Sequence, residues 1–188
     1  MLLVFARAVI GATFFASAAV KSLRPRPFVD ALPGMGVPSP YAGALAVLII
    51  TTEWIVTVTM VAGGPLLVPG FGLAAAMLII FSVALFRVIA SGVDAKCYCF
   101  GSGANAISSI DLVRNAGLVG LVLIGAETMG PNISIGWLPG VLLEKGSQIE
   151  SFIAAVAGFG FAMIWSQLPD IFKLLGAGSG QFRSHEGN

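Results

Sequence analysis

Residues 41–62 read YAGALAVLIITTEWIVTVTMVA. The run carries a single charged residue, Glu53, and no proline. At 1.5 Å per residue, a helix of this length reaches roughly 33 Å, which matches a bilayer hydrocarbon core of about 30 Å. A surface helix of a soluble domain sets charged residues against an apolar stripe, and this run has only Glu53 to offer. Pro38 and Pro40 punctuate it before, and Gly63, Gly64 and Pro65 after. It is therefore read as a membrane span, and the rest of the fold follows from it.

The same pattern recurs at roughly residues 2–20, 68–90, 111–127 and 150–168, each run near the length a helix needs to cross a bilayer. Over 188 residues the chain is 57% hydrophobic and 10% charged, against about 25% charged in soluble domains. Such a chain cannot cover a water-facing surface. Only helices and closed barrels satisfy their backbone in lipid. Barrel strands alternate apolar and polar residues, and these runs do not. The expected fold is all-α, an integral membrane bundle of four to five transmembrane helices. Small residues such as Gly11, Ala16, Ser17, Ala18, Gly72, Gly158 and Gly160 let helices approach closely.

Between the first two spans, Pro25, Pro27, Pro33, Pro38 and Pro40 exclude a long helix, leaving an ordered loop or re-entrant segment. Arg7 and Ala16-Ser17-Ala18 loosely resemble a secretory signal. The residues before Arg7 are apolar where a signal is basic, so residues 2–20 are read as a retained span. The chain divides into a four-helix membrane domain (1–127), a loop plus a further span (128–170) and a disordered tail (171–188). A net charge of +1 suggests no nucleic-acid surface.

With five spans, segments 21–40 and 91–110 and the C-terminal tail share one side. Counting span ends, that side holds Lys21, Arg24, Arg26, Arg87, Lys96, Arg114, Lys173 and Arg183, and the other only Arg7 and Lys145. The positive-inside rule puts the 91–110 loop in the cytoplasm.

Arg7 and Glu53 sit inside their spans. If the first two spans meet end to end, both lie at one depth, and buried charges in lipid usually pair. The expectation is an Arg7–Glu53 pair, serving helix register or a polar pocket for a quinone head group or a proton. Thr51, Thr52 and Trp54 flank it.

The only cysteines lie in AKCYCFGSG, residues 95–103. Zinc needs about four ligands, and His185 in the tail is the sole histidine. Packing as small hydrophobes is a second reading. Redox exchange is the preferred one. In an extended segment Cys97 and Cys99 share a face, with α-carbons about 6.6 Å apart, near the upper limit for a disulfide. A strained bond exchanges readily. Lys96, Arg87 and Arg114 favour thiolate, Asp94 and Asp111 oppose it, and Gly101 and Gly103 admit a partner backbone.

The pattern Lys96-Cys97-Tyr98-Cys99-Phe100-Gly101, followed by Asp111-Leu-Val-Arg114-Asn115 at the head of a span, resembles the MauE family of methylamine-utilisation membrane proteins. Arg7, Gly11, Phe14 or Phe15, Ala18, Lys21 and Glu53 are similar to the broader DoxX-like superfamily of four-helix membrane proteins. The resemblance covers roughly residues 1–127. It implies a multi-pass protein of the bacterial inner membrane. It also implies thiol redox chemistry in the maturation of a periplasmic amine dehydrogenase, with a thioredoxin-fold partner. Cys97 and Cys99 would then be the exchange pair of a thiol–disulfide oxidoreductase, and Arg114 and Asn115 would shape the site. No metal or other cofactor is expected, quinone being unsupported. Three competing readings are a non-enzymatic accessory subunit of a membrane complex, a quinone-linked DoxX-type subunit, and a small-molecule carrier built on Arg7 and Glu53.

Overall fold

A computed structural model describes residues 2–91, 109–128, 153 and 155–163. Among the described residues there is no strand. The elements are α1 (Leu2–Leu23), α2 (Pro25–Ala31), a 3-10 turn (Leu32–Met35), α3 (Ser39–Ala62), a second 3-10 turn (Gly64–Leu66), α4 (Leu67–Ser91) and α5 (Ser109–Glu127). Leu2–Leu23, Ser39–Ala62 and Gly64–Ser91 are each long and apolar enough to cross a membrane. The chain is a multi-pass membrane protein with an all-helical fold.

The four long helices form a ring in which α1 neighbours α3, α3 neighbours α4, α4 neighbours α5, and α5 closes onto α1. Each neighbouring pair is antiparallel. Arg7 meets Met60 while Lys21 meets Glu53. A methyl placed on Gly125 would touch Phe71 and Ala6, whereas Asn115, ten residues earlier, bonds Ser82. This is an up-down-up-down bundle joined by short connections where the chain is described. Val9, Ile10, Phe14, Val56, Met60, Phe71, Leu78, Leu118 and Val122 fill its centre. Val47, Val58, Ile80, Phe86, Val113 and Leu123 point outward and are exposed. A soluble protein seldom bares so much apolar surface; in lipid it is the required exterior.

The proline-rich connection supports no long helix, as its composition dictates. It folds instead as α2, with Pro25 at its first position where a missing N–H is harmless. The 3-10 turn that follows ends at Gly36, in the left-handed region at φ 89°. Phe28 and Leu32 from this hairpin pack on Ala42 and Ala46 of α3. The first two turns of α3 therefore lie beyond the end of α1, and α3 slides along α1 relative to an end-to-end alignment. Trp54 Nε1 donates to Ser22 Oγ at 3.1 Å. The Trp54 ring also meets Phe15 edge-on, with centroids 5.6 Å apart.

Helical residues 155–163 lie against α1. The Phe161 ring meets that of Phe5 tilted by 55°, with centroids 5.7 Å apart. A side chain at Gly158 would come within 2.7 Å of Ala8 Cβ, so only glycine permits this approach. Of the expected loop and further span at 128–170, Thr128, Ile153 and residues 155–163 are described, and the expected tail at 171–188 lies outside the described residues.

Candidate functional site

A polar stripe runs along α1 at four-residue spacing: Thr13, Ser17 and Lys21. Residues four apart share a helix face, and this face turns inward. Lys21 and Glu53 are each only 1% exposed, and they form a salt bridge through Glu53 Oε1. Lys21 Nζ also donates to Ser17 Oγ at 3.0 Å. Ser17 Oγ in turn donates to Glu53 Oε1 at 2.9 Å. The ammonium lies 4.7 Å from the centroid of Phe28 and 5.2 Å from that of Phe81. Both are within range of a cation–π attraction, which is strengthened where water is excluded. Burying one of these charges alone would cost several kcal/mol in a membrane interior. Paired, hydrogen-bonded and flanked by rings, they are tolerated.

The carboxylate lines a cavity of about 20 Å³ with Thr13, Phe14, Ser17, Leu78, Phe81, Leu85 and Asn115. Asn115 is buried on α5 and donates through Nδ2 to Ser82 Oγ at 3.4 Å. Ser82 Oγ donates onward to Leu78 O at 2.7 Å. Side chains from all four helices thus converge on Glu53. Arg114, beside Asn115, is also buried.

The expected Arg7–Glu53 pair is corrected. Glu53 pairs with Lys21, and Arg7 lies about two turns away along α3, roughly 10 Å at 1.5 Å per residue. Its Nε and Nη2 donate to Met60 O at 3.1 and 2.9 Å, and Nη2 reaches Val61 O at 3.4 Å. These carbonyls belong to the last turn of α3, where no helical N–H follows to bond them. The cation also sits at the negative end of the helix dipole. The physical reason for the different pairing is the hairpin at 25–35, which shifts the register of α3. Gly63 closes the same cap at φ 71°, and a Cβ there would lie 2.7 Å from Arg7 Nη2. Arg7→Leu strands both carbonyls and is expected to cost about 2 kcal/mol or more. Arg7→Lys should recover only part, lacking the forked geometry. Thermal unfolding in detergent checks this, and equal stability of Arg7→Leu and wild type would contradict it.

The residues flanking Glu53 do not join its pocket. Thr51 is exposed, Thr52 Oγ1 bonds Leu48 O in its own helix, and Trp54 bonds Ser22. Ser17 and Thr13 are site residues that the sequence did not single out as such, and Lys21 entered only as a loop cation and through the DoxX-like resemblance; their i, i+4 spacing is the signal that marks them. Lys21 and Arg114, counted above among the loop cations, are buried in the bundle.

Lys96, Cys97, Cys99, Phe100 and Gly101 lie outside the described residues. The chain tethers them between Ser91, the last residue of α4, and Ser109, the first of α5. Asn115 begins less than two helical turns past that second anchor. Of the two ends of α4 and of α5, those that flank the cysteine segment are on the side of the Lys21–Glu53 cluster.

A comparison with known families matches residues 1–126 to the family described as Methylamine utilisation protein MauE. No curated protein matches the chain. No solved structure matches it either. The matched stretch takes in α1 to α4, the cysteine segment and nearly all of α5, including every residue of the Glu53 cluster. The chain belongs to the MauE family of methylamine utilisation proteins.

Proposed function

We infer that this MauE-family membrane protein carries out thiol–disulfide exchange through Cys97 and Cys99, with a thioredoxin-fold protein as partner. The observation that carries the reading is the isolation of the pair. The chain's only cysteines stand one residue apart, within the matched region, in the segment joining two helices. The process served is maturation of an amine dehydrogenase in methylamine utilisation.

The chemistry balances within the two proteins. One cysteine thiolate attacks a sulfur of the partner's disulfide, forming a mixed disulfide and releasing the partner's other sulfur as thiolate. The second cysteine, as thiolate, attacks the chain's own sulfur in that mixed bond. The partner leaves as a dithiol, two electrons richer, and Cys97–Cys99 is left oxidised. The reverse sequence oxidises the partner. A pair separated by one residue closes a small, strained ring, which favours handing the disulfide on. The buried Lys21–Glu53 cluster serves as the rigid base that holds the ends of α4 and α5.

The loop is proposed to face the cytoplasm. With Lys21 and Arg114 buried in the bundle, Arg24, Arg26, Arg87, Lys96, Lys173 and Arg183 still outnumber Lys145.

Replacing Cys97 or Cys99 singly with serine should trap a mixed disulfide in cells. The expected product is a reducible adduct from one single variant, whose partner has a thioredoxin fold. No adduct from either variant would contradict exchange. In cells carrying the single variant that captures no partner, a membrane-impermeant maleimide should label the remaining thiol only after lysis. Labelling of intact cells would overturn the cytoplasmic assignment.

A further inference from the structure

The geometry points to a bound water in the cavity beside Glu53, bridging Glu53 Oε2 on α3 to Asn115 on α5 within reach of Thr13 on α1. Three observations carry it. First, the carboxylate uses only one of its oxygens: Lys21 and Ser17 both bond Oε1. Oε2 is buried and accepts no hydrogen bond from any described residue. A buried carboxylate oxygen without a donor is costly. Second, the cavity at that carboxylate measures about 20 Å³, and roughly 10–15 Å³ suffices for one water. Third, the lining has the right chemistry. Asn115 spends one Nδ2 hydrogen on Ser82 and keeps the other. Thr13 Oγ1 donates to Val9 O at 2.7 Å and keeps lone pairs to accept. A water donating to Oε2 and to Thr13 Oγ1, and accepting from Asn115, makes three bonds, as buried waters usually do.

Charge selects this ligand over a cation. Lys21 already neutralises Glu53, so a second positive charge in the site would meet the ammonium without compensation. Size excludes anything with a ring. The water completes the junction of the four helices, adding a polar link from α5 to Glu53 beside the apolar packing and the Asn115–Ser82 bond.

X-ray radiolysis of the full chain in nanodiscs, in ¹⁸O-labelled water, tests this. Radicals formed from a bound water oxidise the side chains next to it. Phe14 and Leu78 line the cavity; Phe71 and Leu118 are of the same types, equally buried, and do not. Wild type should incorporate label severalfold faster at Phe14 and Leu78 than at Phe71 and Leu118. Equal rates in the two pairs would overturn the site. Asn115→Leu should then bring Phe14 and Leu78 down to the rate of the controls. Persistence of their excess labelling would overturn the bridge to α5.

Discussion

Lys21→Met is expected to destabilise the bundle by about 3–5 kcal/mol, and Glu53→Leu by a similar amount, because each leaves one buried charge without its partner. Lys21 and Glu53 are each only 1% exposed, so neither can turn to water without opening the helices. In Lys21→Met the Glu53 carboxylate keeps Ser17 as a donor but loses its counter-ion. In Glu53→Leu the ammonium keeps Ser17 and the rings of Phe28 and Phe81, which do not offset a buried positive charge. The double change Lys21→Met, Glu53→Leu removes both charges and fills the space with side chains of similar size. Such replacements of buried ion pairs are often close to neutral, so the double variant should be more stable than either single one. A double-mutant cycle by reversible unfolding in bicelles measures the coupling. Costs that simply add would contradict a direct interaction. The corresponding cycle for Arg7→Leu with Glu53→Leu should be additive, since Glu53 and the carbonyls that Arg7 bonds lie at different levels of α3.

The spans were legible in the sequence because a bilayer leaves few alternatives. Residues 41–62 and 68–90 are long, uncharged but for Glu53 and Arg87, and bounded by proline or glycine, and α3 and α4 begin and end within two residues of those limits. Register was not legible. It depends on how the 24–38 segment folds, and a seven-residue helix with two prolines has no periodicity to announce it. Aligning α1 and α3 end to end made Arg7 and Glu53 level; packing of Phe28 and Leu32 on Ala42 and Ala46 makes Lys21 and Glu53 level instead. A lysine two residues from a helix end reads as a loop cation because length alone cannot say which side of that end is buried. Its stripe with Thr13 and Ser17 was the available clue. Asn115 was reached only through resemblance, and the structure brings it to the same cavity as Glu53. Sequence spacing could not reveal that, since 62 residues separate them.

The second large effect concerns the cysteines. Exchange needs both sulfurs: one forms the mixed bond, and the other releases it. Cys97→Ser with Cys99→Ser supplies hydroxyls that neither ionise near neutral pH nor form disulfides, so the proposed chemistry is abolished rather than slowed. The bundle is held by α1, α3, α4 and α5 and by the Lys21–Glu53 cluster, none of which uses a thiol. The double-serine chain should therefore insert and accumulate normally, which separates loss of chemistry from loss of fold. An accessory subunit acting through its helices would be indifferent to the change, and a carrier built on the buried carboxylate would respond to Glu53→Gln instead. The decisive measurement is amine dehydrogenase activity in a strain whose growth on methylamine requires this chain, complemented with wild type or with the double-serine variant at matched membrane levels. Thiol exchange predicts activity restored by wild type and absent with the variant; full activity with the variant would contradict it.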